Sequence, residues 1–84
     1  MRFKAVIRTS LKRSVLDPQG QTTLHALESM GFKEAKTLRI GKAFELELEA
    51  EDRVKAESRI HAMCDKLLHN PVIEEYMFDL HPLS

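Results

Sequence analysis

Apolar and polar residues alternate most strictly over residues 43–50, where Phe44, Leu46 and Leu48 interleave with Glu45, Glu47 and Glu49. A strand side chain points to opposite faces at successive residues, so this is a strand with one buried and one acidic, solvated face. Residues 2–9 alternate Phe3, Ala5 and Ile7 with Lys4, Val6 and Arg8. That predicts a first strand, and Val6 predicts burial on its second face as well. Residues 10–16 read as a polar loop carrying Lys12 and Arg13. Val72, Ile73, Tyr76, Met77 and Phe78 predict a last strand over residues 72–80, followed by a tail from His81 to Ser84.

Two stretches repeat at helical spacing instead. Asp17-Pro18 is a helix start, because Asp caps free N–H groups and Pro at the first position loses no needed hydrogen bond. Leu24, Leu27 and Met30 then recur, and Gly31 stands where a left-handed cap is wanted, which predicts a helix over 18–30. Ala56, Ile60, Met63, Cys64 and Leu67 form an apolar stripe on a longer helix over 52–69, stopped by Asn70-Pro71.

Residues 35–40 place Leu38 and Ile40 on one face and Thr37 and Arg39 on the other, which predicts a further strand. A hairpin would join it to 43–50. A two-residue loop at Gly41-Lys42 would mix apolar and charged residues on each face. A three-residue loop, Gly41-Lys42-Ala43, sets Ile40 beside Phe44, Leu38 beside Leu46 and Arg39 beside Glu45. The second arrangement is the one expected.

The order is strand, helix, strand, strand, helix, strand. Right-handed crossovers turn that order into one domain spanning residues 1–84: a ferredoxin-like βαββαβ sandwich, with two helices on one face of a four-stranded antiparallel sheet. The open face would carry Val6 and either Ile73 and Met77 or Tyr76 and Phe78, and an uncovered apolar face marks an interface.

Composition narrows the function. With 84 residues the chain buries only about 60–65% of its unfolded surface, so docking or oligomerisation would add needed stability. Thirteen basic and thirteen acidic residues balance, so no basic field attracts nucleic acid or an anionic membrane. A single cysteine, Cys64, suits a reducing cytoplasm. No apolar run of signal-peptide or membrane-span length is present.

Candidate chemistry is thin. Cys64 lies on the apolar stripe, where it reads as core packing rather than as a nucleophile. His61 precedes it by one turn, but two ligands are too few for structural zinc. His25, His69 and His81 have no partners at ligand spacing. Glu45, Glu47 and Glu49 are about 7 Å apart along one strand face, too far to share one cation well. The three glycines, at 20, 31 and 41, are too scattered for a phosphate-binding loop. No catalytic, cofactor-binding or metal-binding residue is assigned.

Four segments in register carry more. They are Leu16-Asp17-Pro18-Gln19-Gly20, then Gly31, then Arg39-Ile40-Gly41-Lys42, then the run Cys64-Asp65-Lys66-Leu67-Leu68-His69-Asn70-Pro71-Val72-Ile73-Glu74. In this order and chain length they resemble the PurS family, the small subunit of phosphoribosylformylglycinamidine synthase. The likeness covers essentially the whole chain. It departs at Arg13-Ser14, where the family usually has a glycine. The resemblance implies a non-catalytic subunit that joins a glutaminase subunit to a large synthetase subunit and helps protect ammonia on its way between them. It implies that the partners, not this chain, use ATP, magnesium and glutamine. The contact elements it suggests are Asp17, Pro18, Gln19 and Gly20; Arg39, Gly41 and Lys42; and Asn70, Pro71, Val72 and Glu74. Arg39 and Lys42 would steer acidic surface on a partner. A homodimer or a larger assembly is expected, with the last strand contributing to it.

Other function classes fit less well. A ferredoxin-like regulatory domain would bind a small molecule. An RNA-binding domain of this topology needs exposed aromatics where Glu45, Glu47 and Glu49 stand. An acylphosphatase-like enzyme needs a backbone cradle after the first strand, and residues 9–17 hold no glycine.

Overall fold

The computed structural model describes residues Met1–Leu83. The strands are β1 (Arg2–Leu11), β2 (Gly41–Glu49) and β3 (Glu74–Pro82), and the helices are α1 (Pro18–Ser29) and α2 (Arg53–Met63). A π-helical turn, Cys64–Leu68, prolongs α2. The sheet is antiparallel, in the order β2-β1-β3.

β1 is central because it is apolar where both neighbours are. Phe3, Ala5 and Ile7 face Leu48, Leu46 and Phe44 on one side and Pro82, Leu80 and Phe78 on the other. Ala56, Ile60 and Cys64 of α2 and its π turn cover this layer, and all three are fully buried. Asp52 caps α2 by accepting the Lys55 N–H at 2.8 Å.

The expected fourth strand is absent among the described residues. Residues 35–40 take no regular secondary structure and pair with no strand among the described residues, and Gly41 and Lys42 form no hairpin turn. They open β2 instead, paired with Ser10 and Thr9 of β1. Two long-range anchors explain this. The Ile40 N–H donates to Asp17 Oδ2 at 2.9 Å, and Arg39 Nη2 donates to the carbonyls of Leu11 and Lys12 at 3.0 and 2.9 Å. They hold the segment over the loop after β1, so the chain runs straight on into β2.

The open sheet face also differs from expectation. The β1–β3 register turns Tyr76 and Phe78 toward α2 and leaves Met77 outside, while Ile73 precedes the strand. Val6 and Met77 lie among charges there: Arg2 pairs with Glu49, Lys4 with Glu45 and Arg8 with Asp79. That face is ionic rather than apolar. Exposed pairs of this kind contribute about 0–1 kcal/mol each, so they select against apolar stacking more than they stabilise.

α1 starts at Pro18 as expected and ends in a Schellman cap. The Phe32 N–H donates to Leu27 O, and Gly31, at φ 98°, donates to Glu28 O. A Cβ at Gly31 would meet nothing within 4 Å, so only the left-handed backbone demands glycine. Gly31→Ala is therefore expected to cost about 1–2 kcal/mol, read as a lowered urea midpoint with an unchanged slope. α1 contributes nothing to the sheet's core cluster. With residues 31–40 it makes the molecule long, 51 × 28 × 14 Å. The radius of gyration is 16.5 Å, against about 12 Å for a compact domain of this length.

Candidate subunit interface

Three segments far apart in sequence meet at the Leu11 end of β1. The first is the loop and helix start at 11–20. Asp17 is buried and its carboxylate is divided: Oδ1 accepts the Gly20 N–H at 3.0 Å and Oδ2 the Ile40 N–H at 2.9 Å. Those backbone hydrogen bonds, Ile40 first, hold its pKa below the ordinary 3.8, with Arg39 nearby acting in the same direction. The Asp17 contribution is thus intact above about pH 4 and is lost as pH falls through the depressed value. Asp17→Asn is expected to be less stable than wild type at neutral pH, with the gap closing at low pH. Urea titrations from pH 7 to pH 2 read this directly.

The second segment is 39–42. Arg39 is a clamp on the loop carbonyls, with Val15 O also at 3.5 Å. Gly41 is needed for close approach, since a Cβ there would lie 2.5 Å from Thr9 O. Lys42 Nζ stands 3.9 Å from Glu74 Oε2.

The third segment is the 69–74 junction. The π turn ends where His69 donates its N–H to Cys64 O at 3.2 Å and its Nδ1 lies 2.7 Å from the same carbonyl. Because a carbonyl only accepts, His69 carries its proton on Nδ1. Asn70 then closes a turn, taking the Val72 N–H on Oδ1 at 3.0 Å and the Glu74 N–H on its carbonyl at 2.7 Å. Asn70 returns its own N–H to Glu74 Oε1 at 2.7 Å. Lys12 ties this junction to the first segment. Its N–H donates to Ile73 O at 2.8 Å and its Nζ to Pro71 O at 3.0 Å.

All eleven candidate contact residues therefore sit on segments that converge. Asp17, Arg39, Lys42 and Glu74 fasten the segments to one another, while Gly20 and Asn70 close turns within their own and Gly41 allows close approach to Thr9. Pro18, Gln19, Pro71 and Val72 are exposed. Lys12, not selected from the sequence, is the missing tie, and its only signal was a basic residue in a loop. The same segments expose Leu16, Ile40, Val72 and Ile73. Apolar side chains inside a polar rim are what a protein-binding patch requires.

The other reactive side chains are committed to packing. Cys64 is fully buried, and burial, with Asp65, pushes its thiol above the ordinary value. His61 Nδ1 lies 2.6 Å from Tyr76 OH. Tyr76 also stacks edge-on with His69. Burial, then Asp65, pushes its hydroxyl pKa up.

A family model described as PurS, phosphoribosylformylglycinamidine (FGAM) synthase, matches residues 4–82. The chain belongs to the PurS family. With that membership goes a subunit role in phosphoribosylformylglycinamidine synthase, in purine biosynthesis. The PurS subunit of Bacillus subtilis is 46% identical over 78 residues, covering 93% of this chain and 92% of the relative. A solved structure of B. subtilis PurS superposes with a TM-score of 0.86 at 45% identity, over 95% of this chain and 99% of that one. A chain in a structure described as PurLQS from Thermotoga maritima gives 0.90 at 38% identity, over 95% and 98%. No helix among the described residues is long and apolar enough to cross a membrane.

Proposed function

We propose that this chain is a non-catalytic assembly subunit that holds a glutaminase subunit and an ATP-dependent synthetase subunit together. The observation that carries this reading is the near full-length likeness to a PurS chain in a structure described as PurLQS. The convergent end of the sheet supports it, because that end is braced by backbone hydrogen bonds and presents apolar and basic side chains rather than a nucleophile and base. The glutaminase releases ammonia from glutamine. The synthetase, with ATP and magnesium, activates formylglycinamide ribonucleotide to accept it. Ammonia loose in water protonates or diffuses away, so a bridging subunit helps by keeping the route between the sites closed to solvent.

The candidate contacts are Asp17–Gly20, Arg39–Lys42 and Asn70–Glu74, with Lys42 and its neighbours facing acidic partner surface. The chain works as a homodimer in the cytoplasm. Co-elution of the chain with both larger subunits on size exclusion, in the presence of glutamine and ATP, tests the reading. A chain that elutes alone, with the two larger subunits associating without it, contradicts it.

A further inference from the structure

The open face of the sheet holds a cavity of about 590 Å³ near the Leu11 end of β1. The strand register gives its shape. One wall is the row Arg8, Ala43 and Met77, and the other is the row Ser10, Gly41 and Glu75. The row between them holds Thr9 and Tyr76, whose side chains turn to the helical face, so only peptide forms the floor. Rows two residues apart stand about 7 Å from each other, and three strands span about 10 Å. The cavity is therefore a slot across the sheet, wide enough for one extended side chain. It is open because Ser10, Gly41 and Ala43 are small. Further along β2 the same face carries Glu45, Glu47 and Glu49 instead.

Charge selects the kind of side chain that fits. Arg8 is already neutralised, with Nη1 2.9 Å from Asp79 Oδ2. Glu75, at the end of the slot, is exposed, and its carboxylate has no ion-pair partner among the described residues. The nearby lysines are engaged elsewhere: Lys42 Nζ lies 3.9 Å from Glu74 Oε2, and Lys12 Nζ donates to Pro71 O at 3.0 Å. The face as a whole is acidic. Glu45, Glu47, Glu49, Glu75 and Asp79 stand against only Arg2, Lys4 and Arg8, with His81 neutral. Met77, 66% exposed, and the Ala43 methyl give one wall an apolar stretch.

We propose that this slot receives an arginine or lysine side chain from one of the larger subunits, its aliphatic stem along Met77 and Ala43 and its cationic head on Glu75. This rests on the assembly reading above and gives the chain a second contact surface. A shallow slot on a flat face leaves a free cation half in water. A side chain delivered by an opposing surface is covered by that surface, and its stem buries apolar area while the head keeps a charged partner. The converging end of the sheet is basic and this face is acidic, so the two recognise surfaces of opposite sign. A bridging subunit thereby tells its two partners apart.

Calorimetric titration of the larger subunits with three variants tests this. Ala43 and Glu75 are exposed, so neither substitution touches the core. Ala43→Leu fills the slot, and Glu75→Gln removes its charge while keeping its shape. Each is expected to weaken binding by about thirtyfold, with the circular dichroism and sedimentation of the free chain unchanged. Glu47→Gln makes the same charge change on the same face outside the slot, and is expected to weaken binding less than about fivefold. Equal losses from Glu47→Gln and Glu75→Gln mean a diffuse field rather than a seated side chain, and overturn the slot. Wild-type affinity in both Ala43→Leu and Glu75→Gln also overturns it, and leaves the assembly reading standing. Sedimentation of the free chain that changes with Ala43→Leu places a second copy in the slot, which overturns the proposal as well. A wild-type chain that binds neither larger subunit brings down the assembly reading, and the slot with it.

Discussion

Ile60→Ala is expected to destabilise the chain by about 2–5 kcal/mol. Ile60 is fully buried where α2 crosses the sheet, in the cluster with Phe3, Ala5, Ile7, Ala56, Cys64 and Leu80. Truncation removes apolar contact and leaves a cavity that a helix pinned at both ends does not close. At 84 residues the chain has a total stability of only about 4–13 kcal/mol, so the loss is a large share of the whole. Ile60→Val, which keeps most of the volume, should lose about 0.5–1.5 kcal/mol. Urea unfolding of the two variants beside wild type checks the ratio. Equal, small losses would mean that α2 does not sit on the sheet as described.

Gly20→Ala should spare the sheet and strike the converging end. A Cβ on Gly20 would stand 2.6 Å from Asp17 Oδ2 and 2.7 Å from Leu38 O. The carboxylate has some freedom to swing, but the backbone carbonyl has little. Either the first turn of α1 or residues 38–40 must move, and both are held by the same Asp17 side chain. Overpacking of this kind costs about 1–3 kcal/mol. Because it disturbs the presented surface, affinity for the larger subunits is expected to drop about tenfold or more, with circular dichroism unchanged. Calorimetric titration against those subunits reads the effect. Wild-type affinity in Gly20→Ala would remove this end from the interface.

The strict alternation of Phe44, Leu46 and Leu48 with three glutamates located β2, and Asp17-Pro18 located the start of α1. Both are local signals, in which the residues that carry the pattern also make the structure. The hairpin at Gly41 failed for the opposite reason. Alternation says which face a residue takes, not which strand it pairs with. Leu38 beside Leu46 suits a turn within one chain as well as a pairing between two. What separates the cases is the Asp17 carboxylate holding Ile40 and Arg39 reaching the loop after β1, contacts 23 to 28 residues apart. The occupant of the open face was left between two sets for the same reason: Ile73/Met77 and Tyr76/Phe78 both alternate, and only the pairing of Ile7 with Phe78, which puts Met77 outside, chooses between them. The candidate contact segments were chosen as family motifs. That they share one end of the sheet was not, because Lys12, their tie to the 70–74 junction, carries no pattern.

The measurement that tests the assembly role most directly is turnover of formylglycinamide ribonucleotide by the two larger subunits, with and without this chain, using glutamine and then ammonia as nitrogen source. The account predicts that glutamine-dependent turnover requires the chain while ammonia-dependent turnover persists without it. Full glutamine-dependent turnover in its absence would contradict the account.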